Sequence, residues 1–200
     1  MTVYWRSVLA ALLGSALAAC AQLAPPKSAQ PKAAGEAQVV AARQDLPQRF
    51  IGLIGTRAQH APLFLCVPET NFYCLRSFVD RQNGETQHQL YVSDSYSGAE
   101  RGWNAARDGT GHPLRFVEIT REEITCDGGC SYAEEFAAII PEPELRASPQ
   151  GLAVTFTGRS GAEKTISVSG GQITAQLAAV DARLDLPRPA AARAEPPARQ

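Results

Sequence analysis

The dipeptide Asn83-Gly84 constrains this chain more than any other pair of its residues. Both central positions of a type I′ turn need positive φ, which Asn and Gly accept at least cost, and the twist of that turn matches the twist of paired antiparallel strands. The flanking runs are rich in aromatic and apolar residues, Tyr73 to Arg81 on one side and His88 to Val92 on the other, so the stretch predicts a β-hairpin. Folding about Asn83-Gly84 pairs Val79 with His88, Ser77 with Leu90 and Leu75 with Val92 on the face expected to meet the core. Phe78 with Gln89 and Arg76 with Tyr91 fall on the other face, and Cys74 lies opposite the core side or near a covered edge.

Other segments repeat the pattern of short apolar runs bounded by turn residues. Phe50 to Ile54 and Leu63 to Val67 read as the first two strands, and Leu152, Val154 and Phe156 alternate as a strand should, with Ile166 and Val168 following a turn at Gly158 to Gly161. Leu114 to Thr125 and Ser131 to Ile140 form a second hairpin about Asp127-Gly128-Gly129. Centring it on Gly128 sets Phe116 against Ile140, Ile124 against Tyr132, Arg121 against Glu135, and Glu122 against Glu134. The last pair is repulsive, so a bulge is expected between Arg121 and Glu123. Pro141-Glu142-Pro143 ends the strand. Ile173, Leu177, Val180 and Leu184 recur at helical spacing, which predicts a helix from Gln172 to Leu184 docked on the sheet by one face. The expected fold is α+β or mainly β: an antiparallel sheet or sandwich of about seven or eight strands with a C-terminal helix, over residues 50–184.

The two ends of the chain are of another kind. Beyond Pro187 the sequence is Ala, Arg and Pro, with nothing to bury, and residues 185–200 read as a disordered tail. Residues 20–49 are rich in Ala, Pro, Gln and Lys and read as a tether. Ahead of them, Arg6 precedes an apolar run from Val8 to Leu17. That run is too short to span a bilayer, which takes roughly 20 residues, and has the layout of an export signal. With Leu17-Ala18-Ala19-Cys20 it resembles the signal of bacterial lipoproteins. The resemblance implies removal of residues 1–19, a diacylglyceryl thioether on Cys20 and an acylated amino group, several acyl chains together giving stable anchoring. In that family an aspartate after the cysteine marks retention in the inner membrane; Ala21 and Gln22 stand here, which implies the outer membrane of a Gram-negative envelope, with the domain facing the periplasm. The folded part resembles uncharacterised proteobacterial lipoproteins through Leu90-Tyr91-Val92-Ser93-Asp94 and Cys130-Ser131-Tyr132.

Removing residues 1–19 takes away only Arg6 among the charges, leaving 18 basic against 20 acidic residues. Without clustered positive charge, nucleic acid is excluded as a partner. Cys66, Cys74, Cys126 and Cys130 are an even set in a compartment where disulfides persist, and two bridges are expected. Three pairings are open to sequence reasoning, of which the local one, Cys66 with Cys74 and Cys126 with Cys130, closes a hairpin each time. The second bridge requires its residues to form a close antiparallel pair, with Cα atoms about 5.5 Å apart. Separations of eight and four positions are not those of a zinc knuckle, so no metal is expected.

Candidate chemistry is sparse. Gly158-Arg159-Ser160-Gly161-Ala162 falls short of a nucleophile elbow, since a strand follows it and His112, the last histidine, lies upstream. Ser93 to Pro113 reads as a long loop, and such loops are often functional. It carries Asp94, Asp108 and His112, the elements of a periplasmic hydrolase, which is the alternative reading. Glu122-Glu123 and Glu134-Glu135 read as a solvated hairpin face. The preferred reading is a non-enzymatic binding or structural module without cofactor, in which Tyr96 and Trp103, exposed beside Arg101 and Arg107, offer an aromatic and cationic patch to an envelope protein or glycan.

Overall fold

The computed structural model describes residues 41–43 and 49–184. The proposed signal peptide, lipid attachment at Cys20, most of the tether and the C-terminal tail lie outside the described residues. The protein is mainly β: a curled antiparallel sheet, half of a barrel, with a C-terminal helix packed against it. Its strands are β1 (Ala41–Arg43), β2 (Phe50–Ile54), β3 (Ala58–Gln59), β4 (Phe72–Asp80), β5 (Thr86–Ser97), β6 (Trp103–Asp108), β7 (Pro113–Thr125), β8 (Ser131–Ile140), β9 (Gly151–Gly158) and β10 (Glu163–Ser169). They are ordered β1-β2-β4-β5-β8-β7-β6-β9-β10, with β3 also paired to β4. Two helices follow the strand-breaking prolines and the last strand, α1 (Glu142–Arg146) and α2 (Gly170–Leu184).

Apolar residues alternate along β4, β5, β8 and β9 and meet inside the curl. Leu75, Leu90, Val92, Trp103, Phe136, Phe156, Ile166 and Ile173 belong to one buried cluster. The Phe136 ring meets Phe156 edge-on with centroids 4.9 Å apart, a preferred geometry for aromatic pairs. Helix α2 starts two residues earlier than its apolar stripe predicts because Ser169 and Gln172 form a capping box: the Gln172 N–H donates to Ser169 Oγ and the Ser169 N–H donates to Gln172 Oε1. Ile173 and Val180 are buried as expected and Leu177 packs on the core, but Leu184 is exposed and Gln176 is buried. The Gln176 amide donates to the Leu53 carbonyl and to Ser77 Oγ, so a polar side chain fastens the helix to β2 and β4.

Both hairpins form, with altered turns. The β4–β5 register pairs Val79 with Thr86, Ser77 with His88 and Leu75 with Leu90, two residues from that expected of a two-residue turn, so every side chain keeps its expected face. The loop is four residues long. Asp80 closes it by accepting the Gly84 N–H at its carbonyl and the Gln82 N–H at its carboxylate, while Gly84 alone takes a positive φ of 78°. An aspartate able to bond its own turn outcompetes the tighter Asn-Gly geometry. In the β7–β8 hairpin the register shifts between Glu118 and Thr120 and again between Glu123 and Thr125. Ile119 and Ile124 are the extra residues, on either side of the expected bulge position. The consequence is the one charge repulsion demands: Glu122 faces Ala133, and Arg121 faces Glu134.

Three sequence expectations fail. Leu63 to Val67 is no strand: Phe64–Cys66 is a short turn of 3-10 helix between Pro62 and Pro68, with Leu65 and Cys66 in left-handed conformations. Order also begins before Phe50, since Ala41–Arg43, expected in the tether, pairs with β2. The long loop from Ser93 to Pro113 is mostly strand, because Ser93 to Ser97 extends β5 and Trp103–Asp108 is β6.

The cysteines divide differently from expectation as well. Cys126 and Cys130 are bonded, their Cα atoms 3.8 Å apart, just beyond the last strand pair Thr125 with Ser131. Cys74 is a free, fully buried thiol and does not pair with Cys66, which is not itself free. The cause is register: Cys74 sits mid-strand opposite Tyr91, beneath the Arg76 guanidinium stacked on that ring, whereas Cys66 projects on the loop that precedes β4.

Candidate functional site

One end of the half-barrel collects the loop from His60 to Asn71, the loop from Gly98 to Gly102, the Cys126–Cys130 hairpin tip and the turn from Arg159 to Ala162. Beneath these loops lies a group of buried charges. Asp94, on β5, and Glu134, on β8, are 1% and 2% exposed. Carboxylates so deep are tolerated only when paired and hydrogen-bonded, and each has several partners here.

Asp94 Oδ1 accepts from the Lys164 ammonium of β10, and Oδ2 accepts from Arg101 Nη1 at 2.8 Å and from Trp103 Nε1 at 2.9 Å. Glu134 accepts from the Tyr96 hydroxyl, from the Gly102 and Trp103 backbone N–H groups at 3.1 Å, and from Arg121 Nε at 3.2 Å. The Tyr96 oxygen in turn accepts the Arg101 N–H at 2.8 Å. The two carboxylates thus fold the 98–102 loop back over the core. Gly158 permits this close packing, since a Cβ there would stand 2.3 Å from the Arg101 carbonyl oxygen.

His60 joins the same group. Its Nε2 lies 2.9 Å from the Ser93 carbonyl, which can only accept, so Nε2 carries the proton and Nδ1 offers a lone pair to the Lys164 ammonium 3.2 Å away. Burial lowers the His60 pKa, and the neighbouring ammonium lowers it further against the pull of Ser93 and Asp94. Burial likewise draws Lys164 below the ordinary lysine value, opposed by Asp94. For Asp94, burial acts to raise the pKa, but Lys164 and Arg101 outweigh it and hold the carboxyl below its usual range. Burial and the Glu134 hydrogen bond push the Tyr96 phenol up. Lys164 links the last strand to the middle of the sheet, and the Tyr73 hydroxyl, donating to the Ser167 carbonyl at 2.8 Å, makes a second link between β4 and β10. Together they draw the open side of the curl shut.

The expected aromatic patch is not a surface. Trp103 is 1% exposed and packs on Phe136 with ring centroids 5.5 Å apart, while Tyr96 is 5% exposed. Their N–H and O–H groups are drawn inward by Asp94 and Glu134, a signal the sequence carried only as two acidic residues with alternating neighbours. Arg101 stays at the surface and stacks over the Tyr96 ring at 3.9 Å. Arg107 belongs elsewhere, bonded to Thr157 and Glu163. The residues proposed for hydrolysis separate too: His112 and Thr110 surround Asp108 in the turn after β6, whereas Asp94 lies at the opposite end of that strand.

A second polar group has the composition of a catalytic triad. Ser77 Oγ lies 2.8 Å from His88 Nδ1, and His88 Nε2 lies 3.6 Å from Glu142. Ser77 Oγ accepts the Gln176 amide and shares a hydrogen bond with His88 Nδ1, while His88 Nε2 has no hydrogen-bond partner. A serine nucleophile must reach a substrate carbonyl, but Ser77 is fully buried under α2. The group acts as a latch between sheet and helices. Gly158-Arg159-Ser160-Gly161 is a hairpin turn, as expected, with the Gly161 N–H donating to the Gly158 carbonyl. Among the described residues, no group of three or more histidines, cysteines and carboxylates could hold a metal ion.

No family model matches the chain, and neither a curated protein nor a solved structure does.

Proposed function

We propose that this protein is a lipid-anchored envelope lipoprotein, held through Cys20 in the outer membrane, whose folded part is a non-enzymatic binding or structural module of the periplasm. The observation that carries the reading is the export signal ending in Leu17-Ala18-Ala19-Cys20. The Cys126–Cys130 bond supports it, because such a bond between neighbouring residues persists in an oxidising compartment. The buried charges support the non-enzymatic part: Asp94, Lys164, His60, Glu134 and Arg121 bond to one another, to the backbone and to the neighbouring Tyr96, Arg101, Trp103 and Glu118 side chains, which suits a rigid support for the loops above them. An envelope protein or glycan remains the partner class expected for those loops.

The test is fractionation of cells producing the full chain and its Cys20→Ser variant with a labelled fatty acid. The wild type should carry label and sediment with the outer membrane, and the variant should lose the label. Label retained on the variant would overturn the reading.

A further inference from the structure

His60 joins the loop from His60 to Asn71 to the buried charges beneath it. Its Nε2–H donates to the Ser93 carbonyl at 2.9 Å, and its Nδ1 lone pair accepts from the Lys164 ammonium at 3.2 Å. At the other end of the loop the buried Asn71 amide donates to the Pro62 carbonyl and accepts the Ser95 N–H, and the Asn71 carbonyl accepts the His60 N–H. The two residues hold each other, and both hold the loop against β5. Between them the chain is braced by Thr70 Oγ, which accepts the Phe64 N–H and donates to the Val67 carbonyl. Leu65, Cys66, Glu69 and Asn71 take positive φ there, the four non-glycine residues of the described chain that do. Such strain persists only while the surroundings over-determine it, so closure of this loop leans on its two ends.

A proton on His60 Nδ1 reverses one of these contacts. The nitrogen turns from acceptor to donor while facing an ammonium that can only donate, and two positive charges then stand 3.2 Å apart in a half-buried site. The charged groups facing the ring are Lys164 from β10 and Asp94 from β5, with Arg101 from the 98–102 loop on the far side of Asp94. Asp94 favours a protonated ring, but its oxygens already accept from Lys164, Arg101 and Trp103. Burial and the ammonium prevail and hold the His60 pKa below its ordinary value. We propose that acid releases the 60–71 loop from β5 by protonating His60, while the Lys164–Asp94 pair stays closed. The loop gives way because Lys164 keeps an opposite charge on Asp94 and lies in a strand paired with β9 along its length, whereas His60 lies outside any strand. The release concerns His60 and Asn71 and asks nothing of Cys66. It changes the surface that this end of the half-barrel offers to a partner, and it is independent of the lipid anchor.

Single-amide hydrogen exchange of the full chain tests it, each rate being divided by the intrinsic rate at the same pH. The Ser95 and Phe64 N–H groups report the loop, since their acceptors are Asn71 Oδ1 and Thr70 Oγ, and the Leu90 N–H in the middle of β5 reports the sheet. A released histidine titrates at about 6.5, so opening gains up to about tenfold for each pH unit below that value until the closed ring itself titrates. From pH 7 to pH 5 the protection of Ser95 and Phe64 should fall by about five- to twenty-fold. That loss should be insensitive to low urea, as local opening is, whereas Leu90 exchange should quicken with urea. His60→Gln keeps a donor for Ser93 and an acceptor for Lys164 but does not titrate, and it should abolish the acid effect at Ser95 and Phe64. Unchanged protection in the wild type, loop amides that share the urea dependence of Leu90, or an equal acid effect in His60→Gln would each overturn the proposal. If His60→Gln is open at both pH values, the wild-type ring resonance decides: loop exchange that follows the His60 titration supports the release, and exchange that does not follow it overturns it.

Discussion

Replacing Lys164 with methionine should cost about 2–3 kcal/mol of stability. Breaking a buried ion pair by removing one partner costs roughly 3–5 kcal/mol, because the other charge is left in low dielectric. Asp94 is 1% exposed, but it keeps Arg101 at 2.8 Å and the Trp103 indole at 2.9 Å, and the Lys164 side chain is 16% exposed, so the cost falls at or just below the bottom of that range. Adding Asp94→Asn removes the stranded charge, and the double variant should recover at least about 1 kcal/mol relative to the sum of the single changes, the non-additivity that residues in contact show. Urea titration followed by tryptophan emission measures this directly on a chain that begins at Cys20, which keeps Trp103 and not Trp5. With an m value of about 2 kcal/mol per molar urea, the Lys164→Met midpoint should fall by roughly 1–1.5 M. A loss under about 0.5 kcal/mol, or strict additivity in the double variant, would refute the claim that this pair closes the curl.

The pH dependence has a fixed sign. Burial lowers the pKa of both His60 and His88, so the unfolded chain takes up their protons first as pH falls below about 6.5, and unfolding becomes easier by up to about 1.4 kcal/mol per pH unit per histidine. Urea midpoints should therefore drop between pH 7 and 5, and His88→Asn should flatten the slope. Gly158→Ala puts a Cβ 2.3 Å from the Arg101 carbonyl oxygen and should cost about 1–3 kcal/mol with a changed Trp103 emission, whereas an unchanged midpoint would show that the 98–102 loop is not held there. Peptide mapping without reductant should find Cys126 joined to Cys130 and a free Cys74, and Cys74 should resist thiol reagents until urea unfolds the chain, because burial raises its pKa and covers it.

Sequence patterning located the fold where one physical signal dominated. Alternation in β9 and the turn residues of both hairpins led to the antiparallel sheet, and helical spacing led to α2. An even-numbered register offset in β4–β5 left the assignment of faces intact, since side chains alternate with period two. The pattern misleads where side-chain hydrogen bonds decide the outcome. Asp80 lengthens its turn, Thr70 and Asn71 bend an apolar run out of strand geometry, and Gln176 occupies a helix face that an apolar stripe would fill. Trp103 illustrates the limit most sharply. Composition placed it with Arg101 on an exposed loop, but Asp94 lies close enough in space to accept its indole N–H, and that proximity comes from strand pairing over the whole sheet. Cys74 and Cys66 look like a bridge in one dimension; β4 carries one into the core while the loop carries the other outward.

Mass spectrometry of the N-terminal peptide of the protein taken from envelope membranes tests the central claim most directly. The expected peptide begins at Cys20 and bears the added mass of a diacylglyceryl thioether together with an acylated amino group. A peptide that begins at Met1, or one that begins elsewhere with an unmodified Cys20, would contradict the lipid-anchored reading.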